Sequence, residues 1–348
     1  MKTKVWKVDK SVDNLENNPQ IVDAAILLKN NEVVALPTET VYGLGGNAKS
    51  DEAVAKIFAA KGRPGDNPLI IHIADRKQIH PFVENIPRKA NVLMDSFWPG
   101  PLTIIFKMKE GTLSEKATAN LATVAVRMPD HPVALALLKS CGLPIAAPSA
   151  NSSGKPSPTT AAHVIEDLDG KIAGIIDGGS TGVGVESTVV DCTESIPVIL
   201  RPGGITKEQL EEAVGEVKVD PALTDDELKP KSPGMKYRHY APNAPLYMVN
   251  GSSEFLQKLV DEKKTEGFRV GILATEETKQ QFRADVVLAC GRRAELETVA
   301  SSLYEVLRQF NQEKVEIIFS EIFPVAGVGH AIMNRLQKAA GNKIIMEE

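Results

Sequence analysis

Between residues 215 and 245 the chain changes character, and that change limits the folds open to it. GEVKVDPALTDDELKPKSPGMKYRHYAPNAP is dense in proline and charge, and no helical or strand period runs through it. A segment of this kind joins domains or crosses a site. The 348 residues therefore divide into a large region over 1–215, a linker or lid over 216–244 and a smaller region over 245–348.

The two sides of that break follow different grammars. Before it, strand-like runs dominate: NEVVALP, PLIIHIAD, PLTIIFKM, TVAVRMP, LPIAAPSAN, AGIIDGG, STVVDCT and PVILRPG. Few helices intervene. QIVDAAILLK has helical spacing, and SDEAVAKIFAAKG carries a Ser50 cap, Asp51 and Glu52 in its first turn and Gly62 at its end. Many strands with few helices predict an open, twisted mixed sheet with helices packed on it. After the break, strand and helix alternate: APLYMVNG, SEFLQKLVDEKKTEG, RVGILATE, ADVVLACG, a long amphipathic helix in RRAELETVASSLYEVLRQFNQEK, VEIIFSEIFP and GHAIMNRLQKAAG. That order predicts a small parallel sheet of Rossmann-like type. The fold class is α/β in both parts.

A formal net charge of -5 argues against a mainly electrostatic nucleic-acid binder, although a local basic groove is compatible with it. The cysteines Cys141, Cys192 and Cys290 form no C-x-x-C pair, so neither a zinc site nor a disulfide framework is expected. The first residues, MKTKVWKVDKSVDNLENN, are interrupted by charge and predict no signal peptide. No uncharged apolar run approaches the roughly 18–20 residues of a membrane span. A soluble, cytoplasmic protein with no membrane partner is the expectation.

Five clusters carry chemistry. In LPTETVYGLGGNA the spacing Gly43-x-Gly45-x-x-Ala48 fits a dinucleotide fingerprint. That fingerprint needs a strand before the first glycine and a helix directly after it. Here Thr38, Glu39 and Thr40 intervene and the helix starts at Ser50, so a glycine-rich turn presenting Thr40 is the better reading. No P-loop sequence is present. Lys61-Gly-Arg-Pro-Gly-Asp-Asn-Pro-Leu-Ile-Ile-His72 puts Lys61 and Arg63 past a helix end. They either complement its C-terminus or, with Asn67, form an anion site. His72 is either a satisfied core histidine or faces a cleft. Ala146–Thr160 opens from a strand into a loop of hydroxyls and amides, at a common place for ligands. Ser187 stands at a strand start, Arg201 at a strand end, and Thr123 and Arg127 on one strand face. Finally, SPGMKYRHYAP concentrates aromatic and basic residues in the linker and predicts a segment that docks on a site.

Taken in order, PTETVYGLG, KGRP-x-x-NPL-x-x-H, FWPGPLT, VAVRMPDHP, PSAN-x-SG-x-PSPT, ESTVVD, LRPG and SPGMKYRHYAP resemble the YrdC-like threonylcarbamoyl-AMP synthases, in their longer two-domain form. The resemblance runs from about residue 15 to residue 242, with weaker signatures beyond. It implies a reaction of L-threonine, bicarbonate and ATP to threonylcarbamoyl-adenylate and pyrophosphate. A downstream tRNA threonylcarbamoyltransferase would then modify adenosine 37 of tRNA. It also implies roles. Lys61 and Arg63 would be catalytic. Arg63, Asn67, Thr123, Ser149, Ser157, Arg201 and Tyr240 would bind ATP. Thr40, His72, Arg127, Ala147 and Ser187 would bind threonine. Mg²⁺ would accompany ATP on phosphates and water, with no dedicated protein ligands. The main alternative is an RNA-binding module with a concave basic surface, which the absence of interleaved aromatics disfavours. A carbamoyltransferase acting on another acceptor is a third reading. Whether tRNA is contacted directly stays open at this point.

Overall fold

The computed structural model describes residues 2–223 and 239–348. Most of the docking segment, Ser232–Arg238, lies outside the described residues. The chain separates into two compact units. Of the described residues, the first comprises 2–153, 158–182 and 186–223, and the second 154–157, 183–185 and 239–348.

The first unit is a mixed sheet with helices. Its strands are β1 (Lys4–Lys7), β2 (Val34–Leu36), β3 (Gly43–Asn47), β4 (Ile70–His72), β5 (Leu102–Lys107), β6 (Thr123–Arg127), β7 (Ile145–Ala146), β8 (Gly174–Asp177), β9 (Thr188–Asp191), β10 (Val198–Arg201) and β11 (Lys218–Val219). Its helices are α1 (Pro19–Lys29), α2 (Asp51–Lys61), α3 (Arg88–Phe97), α4 (Glu115–Thr118), α5 (Pro132–Cys141), α6 (Ala161–Leu168) and α7 (Lys207–Val214). Among the described residues the strand order is β1-β8-β2-β3-β7-β4-β6-β5-β9-β10-β11. Parallel pairs such as β4/β6 and β5/β9 alternate with antiparallel pairs such as β5/β6 and β9/β10. This is the mixed sheet expected from the many strands, although more helices accompany it than the sequence suggested.

The expected caps form. Ser50 Oγ accepts the Ala53 N–H at 3.2 Å, and Gly62 ends α2 in the left-handed region at φ 61°. Three local readings change. GLGGN is a strand and not a turn: Gly45 lies opposite Val34 and Gly46 opposite Ala146. A Cβ on Gly45 would come within 2.9 Å of Ile145 Cγ2 and 3.0 Å of Leu36 Cδ2, so close packing explains the glycine and phosphate binding is not needed. The turn is confined to residues 37–42. The opening of the segment read as linker is also structured. Lys218 and Val219 pair in parallel with β10. Helices α3 to α7, the last with a Thr206–Gln209 capping box, went unrecognised in the sequence.

Two apolar layers cover the sheet. Ala35, Leu44, Val54, Ile57, Leu93, Phe106, Val126 and Leu210 belong to one, and Leu28, Leu36, Leu137 and Ile145 to the other, where α1 meets α5. A third, small cluster of Ile70, Ile105, Ala125, Val189 and Leu200 is drawn from strands alone. It is the floor beside which the polar strand ends gather.

The second unit holds β12 (Leu246–Asn250), α8 (Ser253–Thr265), β13 (Val270–Ala274), β14 (Val286–Ala289), α9 (Leu296–Gln312), β15 (Ile317–Glu321), α10 (Gly329–Ala340) and β16 (Ile344–Met346). The sheet order is β14-β13-β15-β12-β16, and every described pairing is parallel. The Rossmann-like expectation is borne out, with β16 as an edge strand that the sequence did not announce. Val249, Leu256, Val260, Ile272, Ile317 and Phe319 form its core.

Candidate active site

Register brings the polar strand ends together. His72 of β4 lies beside Arg127 of β6, and Arg127 lies opposite Thr103 of β5. Because opposite residues in a ladder share a face, these three side chains share one face with Thr123 and Ala125. His72 and Arg127 are both 4% exposed. Two hydrogen-bonded groups meet here. In one, Arg127 Nη1 donates to Thr40 Oγ1 at 2.9 Å, Thr40 and Thr38 share a hydroxyl bond of 2.9 Å, and Arg127 Nε donates to the Gly100 carbonyl at 3.3 Å. In the other, Thr103 and Ser187 hydroxyls lie 2.8 Å apart, while Arg201 donates from Nε to the Ser187 carbonyl and from Nη2 to Ser187 Oγ, both at 3.1 Å. Two guanidinium groups are thus fixed at strand ends by neutral oxygen acceptors. Buried arginine with part of its donor fork spoken for is a rigid receptor for carboxylate or phosphate.

One carboxylate joins them. Glu39 Oε1 lies 2.6 Å from Arg127 Nη2. Asp130, on the strap that follows β6, has its carboxyl pushed up by burial and by the charge of Glu39. Burial and Arg127 drive His72 down to about 3, so its ring is neutral, with Nδ1 3.2 Å from the Ile70 carbonyl. His131 is pushed down to about 4, mainly by burial and then by Lys10, against the pull of Glu39.

Lys61 meets three oxygens of the loop that follows β7. Its ammonium, 4% exposed, donates to the carbonyls of Ser149 and Asn151, the latter at 2.7 Å, and sits 3.4 Å from Asn151 Oδ1. Burial and then the Arg63 charge lower its pKa, while Asp167 and Glu186 oppose them. An ammonium has three N–H donors, and three oxygens surround this one. Lys61 therefore shapes the PSAN loop, which Ser149 Oγ to Asn151 Oδ1 (2.6 Å) and Ser152 N to Asp167 (3.2 Å) also tie down. Asn67 is buried in the loop before β4, Arg63 is half-buried in the same loop, and Thr123 is half-buried at the start of β6. Ala147 is buried just beyond β7, and its Cβ lies 3.4 Å from where a Cβ on Gly43 would stand.

Ser157 and Tyr240 group with the second unit, although Ser157 continues the PSAN loop in sequence. Ser157 is fully buried, and Arg308 Nη2 holds the neighbouring Pro156 carbonyl at 2.6 Å. Tyr240, at φ 65° and 4% exposed, has its ring 5.2 Å from that of Tyr304 and 5.9 Å from the Arg335 guanidinium. Sequence reading passed over Thr103, Thr38 and Glu39. The first looks like any β-branched strand residue. The other two stand in PTET, where adjacency to Thr40 was the available signal. Among the described residues no three His, Cys, Asp or Glu side chains cluster as a metal site, and no helix is long and apolar enough to cross a membrane.

Comparison with known proteins extends over both units. Residues 26–203 match the Sua5, YciO and YrdC family described as Telomere recombination, and residues 205–341 match the family described as Threonylcarbamoyl-AMP synthase, C-terminal domain. A threonylcarbamoyl-AMP synthase of Bacillus subtilis (strain 168) is 60% identical over 345 residues, covering 99% of this chain and 100% of its own. Another, from Pyrococcus abyssi (strain GE5 / Orsay), is 47% identical over 92% of this chain and 94% of its own. The crystal structure of P. abyssi Sua5 complexed with L-threonine superposes with a TM-score of 0.92 at 45% identity, covering 99% of this chain and 100% of that one. With both family matches in chain order and relatives this similar along their whole length, the chain belongs to the threonylcarbamoyl-AMP synthase family, in its two-domain form.

Proposed function

We propose that this chain condenses L-threonine, bicarbonate and ATP to threonylcarbamoyl-adenylate and pyrophosphate, as a nucleotidyltransferase serving N6-threonylcarbamoyladenosine formation at position 37 of tRNA. The observation that carries the reading is the buried guanidinium of Arg127, steadied by Gly100 and Thr40 at the end of β6, in a chain 60% identical to a threonylcarbamoyl-AMP synthase. A planar, fixed guanidinium suits the carboxylate of an amino acid. Thr40, His72, Ala147 and Ser187 would complete the threonine site. In the first unit Arg63, Asn67, Thr123, Ser149 and Arg201 would hold ATP, which would enter as its Mg²⁺ complex.

The chemistry runs without a covalent enzyme intermediate. The deprotonated threonine amine attacks the bicarbonate carbon, and water leaves as the carbamate forms. A carbamate oxygen then attacks the α-phosphorus and pyrophosphate departs. Positioning and charge stabilisation are the expected sources of rate. Arg201 and Arg63 would neutralise phosphate oxygens. Lys61 would act one step back, by holding the Ser149 and Asn151 carbonyls and so aiming the PSAN loop. Neutral His72 adds no charge that would compete with Arg127 for the carboxylate.

The test is pyrophosphate release by the purified chain from ATP and Mg²⁺, with threonine and bicarbonate each present or omitted. Release that needs both is the expected result. Release that ignores threonine overturns the reading.

A further inference from the structure

The contact between Arg127 and Glu39 is close but not hydrogen-bonded. Nη2 and Oε1 lie 2.6 Å apart, yet no Arg127 N–H points at the oxygen. Arg127 Nη2 and both Glu39 oxygens are buried without a hydrogen-bond partner. A buried carboxylate that accepts no hydrogen bond, beside a guanidinium nitrogen that donates none, is costly, because the attraction of the two charges offsets only part of their desolvation. Native chains seldom carry such atoms without a ligand or functional reason. A purely structural ion pair would align its donors and acceptors, as Arg127 Nη1 already does with Thr40.

A zwitterion would satisfy both groups at once. In an α-amino acid the ammonium nitrogen lies about 2.5 Å from the carboxylate carbon, from the standard bond lengths. A carboxylate on Arg127 would therefore bring its own ammonium alongside Glu39. The surroundings leave Glu39 available for that task. Its backbone is fixed by the Gly182 N–H on the Glu39 carbonyl at 3.1 Å. Thr181 Oγ1, next in the chain to Gly182, is likewise buried and unpartnered, and so are both ring nitrogens of His131. The His131 ring, held uncharged at neutral pH, offers Glu39 no second cation.

We propose that Glu39 is the ammonium-recognising residue of the amino-acid site, so that Arg127 and Glu39 together read the two charges of free α-amino acid substrates. This deepens the threonine reading above and rests on it. Glu39 is thereby a specificity residue. It demands an α-ammonium group beside the carboxylate and holds the nitrogen that later attacks bicarbonate.

The experiment is calorimetric titration of wild-type chain, Glu39→Gln and Glu39→Asp with L-threonine and with 3-hydroxybutanoate, which keeps the carboxylate and hydroxyl but lacks the amine. Wild type is expected to bind threonine more tightly than 3-hydroxybutanoate. In Glu39→Gln the threonine affinity is expected to fall at least about tenfold, from loss of a charge-assisted hydrogen bond. Affinity for 3-hydroxybutanoate should stay within about twofold. Glu39→Asp, which keeps the charge with a shorter reach, should fall between. Unchanged threonine affinity in folded Glu39→Gln would overturn the inference while leaving the function intact. Equal weakening of both ligands would also overturn it, because Glu39 would then serve only to set Arg127. A wild-type chain that binds no threonine would remove the functional reading, and this inference with it.

Discussion

The two sheets end their strands in opposite ways. In the second unit the polar groups beyond β13 and β15 close on one another. Glu321 Oε2 accepts from Thr275 N at 2.9 Å and from Thr278 Oγ1 at 2.6 Å, and Arg293 donates to Glu321 Oε1 and to the Ile322 carbonyl. In the first unit the equivalent charged groups, Glu39 and Arg127, meet without a directed hydrogen bond, and His131 finds no partner for either nitrogen. A carboxylate with every oxygen engaged is a structural clasp. A carboxylate and guanidinium with unused capacity form a receptor that tolerates cost for the sake of binding. The same residue types at strand ends therefore do not carry the same meaning, and hydrogen-bond accounting separates them.

Both tryptophans, Trp6 and Trp98, lie in the first unit, so their fluorescence reads that unit alone. The largest effect should come from Arg127→Ala. It leaves Glu39 buried without its cation, which costs about 3–5 kcal/mol. The fluorescence midpoint in urea should drop accordingly, and threonine-dependent pyrophosphate release should fall at least about a hundredfold. Loss of stability with undiminished kcat/KM for threonine would break the comparison, because Arg127 would then be a clasp like Arg293.

Glu321→Ala should behave in the reverse way. Removing the carboxylate strands the Thr275 N–H and Thr278 hydroxyl, at about 2–3 kcal/mol. Amide exchange along β13 and β15 should accelerate by that amount. The tryptophan-detected midpoint should hold, and kcat/KM for threonine should stay within about threefold of wild type. A threonine defect as large as that of Arg127→Ala would place substrate chemistry in the wrong sheet.

Much of this was legible in the sequence. Ser50 and Gly62 announced α2, and the alternation after residue 245 announced a parallel sheet, because caps and periods are local signals. The expected residues Thr40, His72, Arg127, Ser187 and Arg201 do meet at neighbouring strand ends. Three things escaped. GLGGN read as a turn because glycine is rare in strands, yet Leu36 and Ile145 press so close that nothing larger fits. The tie between Lys61 and the PSAN loop escaped, since Lys61 offered only a helix-end complement or an anion site and its carbonyl partners are 88 and 90 residues away. Thr103 and Glu39 escaped because their meaning depends on register and on what a distant arginine leaves undone, and neither is a property of a short window.

The glycines give the next test. Gly45→Ala overpacks against Ile145 and Leu36 and should cost about 1–3 kcal/mol by the same fluorescence assay. Gly43→Ala, whose Cβ would meet Ala147 Cβ at 3.4 Å, should cost less than half as much. Equal costs would show that the backbone, and not the packing, requires glycine here.

The smallest effect is in acid, and it belongs to the first unit. Histidine in the unfolded chain titrates near 6.5, while His72 and His131 titrate near 3 and 4 in the folded chain. Between those limits the unfolded state binds more protons, so stability is full above about pH 6.5 and is lost as pH falls towards 4. The loss should reach roughly 1 kcal/mol for each ring by pH 5.5. The groups acting on them are Arg127 for His72, and Lys10 and Glu39 for His131. His131→Gln should flatten the tryptophan-detected stability curve between pH 6.5 and 5.5 by its own share and leave the His72 share in place. A curve that becomes steeper in that variant would mean that the ring is protonated in the fold. His131 would then be a cation already paired with Glu39, and the first sheet would lose the unsatisfied carboxylate that sets it apart from the second.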